Sequence, residues 1–155
     1  MKKRVLAAGL FAALNYSVIA AADDRLVRFD GGIAETPVSS LTAANIVKGI
    51  LPGGQPWVIS RLLADVRSDG RISVDGRGLL LAGGNGIGTN GAQSVRAMLF
   101  CGTTAFTSDL VALDANGDFR IDGLLNAVPP EPCDTPTLLI VNAGGRWFAA
   151  GIPKQ

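Results

Sequence analysis

The strand pattern of this chain is clearest in the segment Ser68-Asp69-Gly70-Arg71-Ile72-Ser73-Val74-Asp75-Gly76-Arg77-Gly78-Leu79-Leu80-Leu81. After the Asp-Gly pair, one face carries Ile72, Val74, Gly76, Gly78 and Leu80, and the other carries Arg71, Ser73, Asp75 and Arg77. A period of two is that of a β-strand with one buried and one solvated face. Since Asp-Gly is typical of tight hairpin turns, the segment predicts an antiparallel hairpin.

The same period recurs along the chain. In a second segment it places Phe119 and Ile121 on one face. In a third segment it places Val95, Ala97, Leu99 and Cys101 on one face. Together with the β-branched runs, this pattern predicts about eight strands, at 45–51, 57–67, 71–82, 94–102, 107–113, 118–124, 136–142 and 146–151. We therefore predict an all-β protein, an antiparallel immunoglobulin-like β-sandwich.

Three glycine-containing turns are predicted to join antiparallel neighbours, namely Ser68-Asp69-Gly70, Ala115-Asn116-Gly117 and Ala143-Gly144-Gly145. Two segments are ambiguous. Residues 57–67 also fit a helical face, but the adjoining Asp-Gly turn favours a strand. Residues 41–47 fit either a short helix capped by Ser40 or part of a strand, and within 41–51 the sequence leaves the choice between helix and strand open.

The N-terminal segment has the three parts of a secretory signal. Basic residues at 2–4 precede an apolar stretch, and Ala20-Ala21-Ala22 forms a small-residue cleavage site. The apolar stretch is shorter than the ~20 residues that a membrane-spanning helix needs. We therefore expect a signal peptide at 1–22 and a single domain at 23–155, soluble, with no integral membrane segment after cleavage, and periplasmic or secreted.

Composition excludes several classes of function. Removal of 1–22 takes three basic residues from the 14 in the chain and leaves 13 acids, so the formal charge changes from +1 to 11 − 13 = −2. The remaining arginines are spread singly in sequence from Arg25 to Arg146, which does not predict the basic stripe that nucleic acid requires. The chain has no histidine, so Ser-His-Asp, Cys-His and His-zinc sites are excluded.

The two cysteines, Cys101 and Cys133, are predicted to form one disulfide in an oxidising compartment. A metal or redox site would bring more cysteines or a Cys-x-x-Cys pair. The alternating pattern places Cys101 on the buried face of its strand, so the disulfide is expected beneath the sheet.

A glycine-rich loop at 82–91 is the first candidate for binding, through Gly84, Asn85, Gly86, Thr89 and Asn90. It lacks the Gly-Lys-Ser/Thr and the following helix of a phosphate-binding loop, so nucleotide binding is not predicted. A second candidate is the proline-rich loop at 128–133, which the disulfide holds.

The remaining motifs have simpler structural explanations. Asp114, Asn116 and Asp118 match the start of a calcium loop, but the positions for the loop glycine and the final glutamate do not match, and a turn explains them. A glycosidase would need a pair of carboxylates, and the sequence marks no aspartate as catalytic. The candidates are Asp65, Asp69, Asp75, Asp118 and Asp122. Trp57 and Trp147 lie in apolar runs, so core packing near the disulfide is preferred to sugar stacking. No cofactor or metal is predicted.

Three segments carry a resemblance. They are Gly53-Gly54-Gln55-Pro56-Trp57-Val58-Ile59, the loop from Gly83 to Gly91, and Asn142-Ala143-Gly144-Gly145-Arg146-Trp147-Phe148-Ala149-Ala150-Gly151-Ile152. Together they resemble a group of short exported bacterial β-rich proteins that has no assigned function. The resemblance implies a bacterial, exported, β-rich protein and supplies no catalytic residue.

These observations favour a non-enzymatic protein that binds an unknown protein or small ligand through its loops. The first alternative is a structural or assembly protein that pairs through an edge strand. The second alternative is a hydrolase that works with carboxylates.

Overall fold

The computed structural model describes residues 24–154, so the signal peptide expected at 1–22 lies outside the described residues. The described chain contains strands and no helix. The strands are β1 (Arg25–Ala34), β2 (Trp57–Val58), β3 (Arg61–Arg67), β4 (Arg71–Arg77), β5 (Leu80–Leu81), β6 (Ser94–Cys101), β7 (Thr104–Thr107), β8 (Val111–Ala112), β9 (Phe119–Leu124), β10 (Thr137–Asn142) and β11 (Trp147–Lys154).

Nine of these strands form one curled antiparallel sheet, a half-barrel. Its order is β7-β6-β10-β11-β1-β3-β4-β9, and β8 pairs with β6 beside β7. The two ends of the sheet approach each other, because Asn126, just after β9, donates to the Thr107 carbonyl of β7 at 2.8 Å and accepts from the Thr107 N–H at 2.9 Å. The all-β antiparallel prediction is confirmed. The immunoglobulin-like sandwich is not confirmed, since the ladder is continuous from one end of this sheet to the other.

The inner face of the sheet holds the main core. Ile72 and Val74 are buried, as their alternation predicts, and so are Phe119 and Ile121. On β6 the predicted face is confirmed, with Val95, Ala97 and Leu99 fully buried and Cys101 6% exposed. At about 25 cal/mol per Å² of buried apolar surface, this face is the main stabilising feature of the fold.

A smaller cluster packs on the opposite face of β10 and β11. It contains Phe100, Leu139, Val141 and Trp147, and the partly buried Val47 and Ile50 cover it. Successive residues of β10 therefore point into different clusters, as a strand buried on both faces requires. The indole N–H of Trp147 donates to the Asn45 carbonyl at 2.8 Å, which fastens the irregular segment to the sheet.

The open question at 41–51 is resolved, because this segment is neither helix nor regular strand. Leu41 is fully exposed, and only isolated bridges form, including Val47 with Ile50. Lys48 and Gly49 both have positive φ, 50° and 80°, and Ile50 donates to the Val47 carbonyl across them. A tight turn at this position interrupts the β-branched run, so the predicted strand 45–51 is wrong.

The longest strand, β1, was absent from the predicted strands. It pairs with β11 on one side and β3 on the other, and its register shifts between Phe29 and Gly32. Gly31 there has φ 103°, so the apolar alternation is broken at the middle of the strand. A Cβ on Gly32 would lie 2.8 Å from Leu62 Cβ, which shows why small residues are needed where β1 crosses β3.

Three predicted strands are each divided in the structure. Residues 57–67 form β2 and β3, and residues 71–82 form β4 and β5. The chain turns at Gly78, where φ is 63°, and Ser60 Oγ donates to the Arg77 carbonyl at 2.8 Å, so both predicted strands are interrupted at this place. The buried alternation therefore ends at Gly76. Residues 107–113 contain the end of β7 and then β8.

Two of the three predicted hairpins are confirmed. Ser68-Asp69-Gly70 joins the paired strands β3 and β4, and Ala143-Gly144-Gly145 joins β10 and β11. Ala115-Asn116-Gly117 does form a turn, closed by the Gly117 N–H to the Asp114 carbonyl. It is not a hairpin, because β8 pairs with β6 and β9 pairs with β4.

The predicted disulfide between Cys101 and Cys133 is present, with the two Cα atoms 4.9 Å apart. It links the end of β6 to the proline-rich loop before β10. Cys101 belongs to the main core and Cys133 packs against it, so the disulfide lies beneath the sheet as expected.

Candidate functional site

A cleft of about 260 Å³ lies where three separate loops meet. One side is the segment before β2, the second is the end of the glycine-rich loop, and the third is the β10–β11 turn. These are parts of the same three segments that carry the resemblance described above. The lining residues are Gly53, Gly54, Gln55, Trp57, Leu81, Gly91, Gln93, Asn142, Arg146 and Phe148.

The floor of this cleft is aromatic. The rings of Trp57 and Phe148 are stacked, with centroids 4.1 Å apart and planes 18° apart. Both residues are almost fully buried, at 5% and 3% exposure. Leu81 pairs with Trp57 in the short β2–β5 ladder and extends the apolar floor. The predicted core role of Trp57 is thus confirmed, although its ring also forms part of the cleft surface.

The rim of the cleft is polar and carries one cation. Asn142 donates through Nδ2 to Gln93 Oε1 at 3.1 Å and accepts from the Arg146 N–H at 2.9 Å. These bonds fix the two amides and the turn that presents Arg146. The side chains of Gln55 and Arg146 are exposed. Amide groups supply both donors and acceptors, and a guanidinium supplies a fork of donors suited to a carboxylate.

The five residues proposed from the glycine-rich loop lie beside this cleft and do not line it. Asn90 Nδ2 donates to the Asp114 carbonyl at 2.7 Å, and Asn90 Oδ1 accepts from the Ala92 N–H at 2.9 Å. Thr89 Oγ1 donates to the Gly86 carbonyl at 2.7 Å. These side chains hold the loop in shape, while Gly84 and Asn85 are exposed at its tip. Ligand binding by the five residues stays a prediction.

The second candidate loop, 128–133, lies elsewhere. Its first residue, Val128, packs beside Gly70 at the β3–β4 turn, and its last is held by the disulfide. No residue of this loop lines the cleft. The two loops therefore do not form one binding surface there.

Glu35 is the residue that the sequence did not reveal. Its side chain is fully buried, and neither carboxylate oxygen has a hydrogen-bond partner among the described residues. A Cβ on Gly53, which lines the cleft, would lie 2.7 Å from Glu35 Oε1 and 2.9 Å from Phe148 Cε1. Burial raises the pKa of Glu35 to about 7. No sequence signal marks this position, because Glu35 follows a strand that the pattern did not identify.

The charged face is the outer surface of β1, β3, β4 and β9, together with their connecting turns. Arginines that are far apart in sequence gather there, and six of the seven form an ion pair with an aspartate. Ion pairs join Arg25 to Asp65 at 2.9 Å, Arg67 to Asp24 at 2.9 Å, and Arg77 to Asp75 at 2.8 Å and Asp118 at 3.1 Å. The arginines of this face are Arg25, Arg28, Arg61, Arg67, Arg71, Arg77 and Arg120.

A wider groove of about 700 Å³ crosses the charged face, lined by both charge signs. The pKa of Asp118 is lowered by the Gly78 N–H and by Arg77, and the pKa of Asp122 is lowered by Arg120 and Ser73. Each of these effects favours an ionised carboxylate. Nucleic acid requires a basic stripe, and the charge on this face is mixed instead. The absence of a nucleic-acid role stays a prediction.

The carboxylate oxygens of the calcium-like motif accept hydrogen bonds from backbone N–H groups of the turn and of Gly78. Asp114 Oδ1 accepts from the N–H groups of Asn116 and Asp118, at 2.8 and 2.9 Å, and Asp118 Oδ1 accepts from the Gly78 N–H at 2.9 Å. Over residues 24–154, no group of three or more His, Cys, Asp or Glu side chains is placed to hold a metal ion. The turn explanation accounts for the positions of these side chains.

Trp147 is also buried, but on the other face of the sheet from Trp57. The prediction of core packing is confirmed for both tryptophans. The expected packing near the disulfide is not what the structure shows for Trp147, which contacts the small cluster under the 43–51 segment instead.

Within the described residues, no helix is long and apolar enough to cross a membrane. No family model, no curated protein and no solved structure matches the chain.

Proposed function

We propose that the mature protein is an exported, non-enzymatic binding module whose ligand occupies the cleft above Trp57 and Phe148. The observation that carries this proposal is the convergence of three loops on one concave site with an apolar floor and a polar rim. Small-molecule sites have this composition, in which apolar surface supplies affinity and a few fixed polar groups supply orientation.

The chemistry of the rim indicates the kind of ligand. Gln55, Gln93 and Asn142 offer amide donors and acceptors, and Arg146 offers a cation. A small polar molecule with hydroxyl or amide groups, and with a carboxylate or similar anion directed at Arg146, matches these groups. The volume lies just below the ~300–1,000 Å³ typical of drug-sized ligands, so the site fits a small ligand or the end of a larger one.

Export is part of the same proposal. The disulfide requires an oxidising compartment to persist, and the N-terminal segment has the pattern of a cleaved signal. We expect protein purified from a bacterial periplasm to begin at Asp23 and to weigh two hydrogens less than the reduced chain, as measured by intact mass spectrometry. A product that retains residues 1–22 would contradict export.

Neither alternative gains a specific observation. A glycosidase needs two carboxylates, and none of the described residues that line the cleft is one. Four carboxylates line the groove on the charged face, but each of them pairs with an arginine: Asp24, Asp65, Asp69 and Asp122. Strand addition needs a free sheet edge, and the hydrogen bonds between Thr107 and Asn126 already cover part of the edge of β7.

Binding is tested by NMR with mature protein labelled with ¹⁵N and a panel of monosaccharides, amino acids and small carboxylic acids. We expect at least one class to shift the Trp57 indole signal and the side-chain amide signals of Gln55 and Gln93. Replacement of Arg146 by Ala should weaken that binding about tenfold or more, since a charge-assisted hydrogen bond contributes ~1.5–3 kcal/mol.

Arg120→Ala is the matched control, because Arg120 is an exposed arginine on the charged face. It should leave binding unchanged. If every shift falls on the charged face, or if Arg120→Ala and Arg146→Ala weaken binding equally, the proposed site is wrong.

A further inference from the structure

Glu35 is built into the backbone frame of the cleft. Its N–H donates to the Phe148 carbonyl at 2.9 Å, and its carbonyl accepts from the Trp57 N–H at 3.1 Å. The backbone of Glu35 therefore bridges the backbones of the two aromatic residues of the floor. The Glu35 carboxyl also lies against the wall of the cleft, because a Cβ added to Gly53 would be 2.7 Å from Glu35 Oε1 and 2.9 Å from Phe148 Cε1.

Within residues 24–154, no charged group pairs with the Glu35 carboxyl to hold it ionised. Burial is the cause that raises its pKa, with no contribution from a neighbouring charge. The segment before β2 and β2 itself carry no charged residue between Gly49 and Val58. Lys48, the cation that immediately precedes this segment, donates through Nζ to the Gly102 carbonyl at 3.1 Å. Glu35 packs against β11 and follows β1, and these two elements carry the other charged groups near it. Arg146 precedes β11 and Lys154 ends it, while β1 carries Arg25, Arg28 and Asp30.

A buried carboxyl in this position has two contrasting states. The neutral form is tolerated in an apolar site, whereas an unpaired carboxylate costs several kcal/mol until water or a counter-charge reaches it. Because the described part of the chain supplies no counter-charge to Glu35, water that enters through the surrounding wall is what would stabilise the ionised form. Gly53 and Phe148, which line the cleft, are part of that wall.

We propose that Glu35 gates the cleft by protonation, so that the neutral acid keeps the Trp57–Phe148 floor closed and the carboxylate opens it to water. The proposal rests on the proposed function only in taking this cleft as the ligand site. A ligand that packs on the closed floor then binds more tightly at acidic pH and is released as the pH rises above neutrality.

The chain is well suited to a direct test in the wild-type protein. The mature sequence contains only two glutamates, Glu35 and Glu131, and two tryptophans, Trp57 and Trp147. It contains no histidine, so no other side chain ordinarily titrates near neutrality. Glutamate labelled with ¹³C at Cδ therefore gives two carboxyl signals, and ¹⁵N labelling gives two indole signals.

The experiment is a titration from pH 4 to pH 9 without any ligand. The Glu35 carboxyl, assigned with Glu35→Gln, should titrate near neutrality. The Trp57 indole signal should show at least a twofold rise in relaxation by a neutral, soluble paramagnetic agent, with the same midpoint. Trp147, whose indole is bonded to Asn45 on the other face, should stay unchanged.

Glu35→Gln keeps the shape of the neutral acid and should hold Trp57 in its low-pH state throughout. Glu131→Gln, in an exposed loop, is the matched control and should behave as wild type. A Glu35 midpoint below pH 5 overturns the gate, and so does a Trp57 response that is absent or that persists in Glu35→Gln. Since no ligand is used, these outcomes are independent of whether the proposed binding function is correct.

Discussion

Single residues decide the packing at several points of this sheet. Gly76 on β4 lies opposite Phe119 on β9, and the Phe119 ring covers the place where a Cβ would stand. Glu35 is a comparable case of an exact fit, since it is fully buried against Gly53 and Phe148. We therefore expect a methyl group added at Gly76, or a proton lost from Glu35, to change the free energy of folding.

Gly76→Ala should destabilise the protein by about 1–3 kcal/mol, because the added methyl forces the Phe119 ring out of its position. Gly123→Ala on the neighbouring strand is the control, since nothing lies within 4 Å of its added Cβ. Urea unfolding of the two variants measures the difference. Equal losses would mean that the Phe119 ring adapts without cost.

Glu35 should make the protein less stable as the pH rises. Its folded pKa of about 7 exceeds the ordinary value of 4.5, so between these values the folded state holds a proton that the unfolded state has lost. Stability should therefore fall from about pH 4.5 to pH 7, by up to ~3 kcal/mol at 1.36 kcal/mol per unit. Thermal unfolding across this range should show the fall in wild type and a flat profile in Glu35→Gln. A fall of equal size in the variant would assign it to another group.

At the scale of elements, the irregular segments are as important as the strands. The segment 43–51 shields one face of β10 and β11, while the disulfide fastens the proline-rich loop to the end of β6. One face of β10 lies in the main core, and its other face is buried because the segment 43–51 packs over it. Loops thus complete the core as well as form the cleft.

Replacement of both Cys101 and Cys133 by alanine should cost about 3–4 kcal/mol on the chain-entropy model for a closed loop of this length. The loss comes mainly from the greater freedom of the unfolded chain. Urea unfolding of the double variant measures it, and wild-type protein under reducing conditions should show a similar loss. A loss below 1 kcal/mol in both would contradict the prediction.

At the scale of the whole molecule, the charged face and the cleft respond to pH in opposite directions. Asp118 and Asp122 have lowered pKa values, so the stability they contribute is present above their ordinary values near 3.8 and is lost as the pH falls through the folded values. The stability linked to neutral Glu35 is lost as the pH rises. From these two effects together, we expect the protein to be most stable in mild acid.

We expect the melting temperature of wild type to be highest near pH 4.5 and to decline on both sides. Arg77→Ala leaves the Gly78 N–H as the main group that lowers the pKa of Asp118, so it should make the acid side less steep, whereas Glu35→Gln should flatten the neutral side alone. Differential scanning calorimetry at a series of pH values separates the two. A single maximum near pH 7 in wild type would show that Glu35 does not control the neutral side.

How much of this protein the sequence could predict depends on the range of the interactions involved. Strand alternation at Ile72, Phe119 and Leu99, two of the hairpin turns, and the disulfide were all correct, because a strand period and a tight turn are local properties. With two cysteines in a presumed oxidising compartment, only one pairing exists.

Only the tertiary structure decided where separate strands and loops meet. Strand β1 is hidden in the sequence by the Gly31 irregularity, and the curl that joins its neighbours into one sheet depends on pairings between distant segments. Arginines spread along the sequence gather on one face by the same pairings. Glu35 has no distinguishing neighbours in sequence, and its burial arises because the segment 53–57 and Phe148 on β11 approach it from two other parts of the chain.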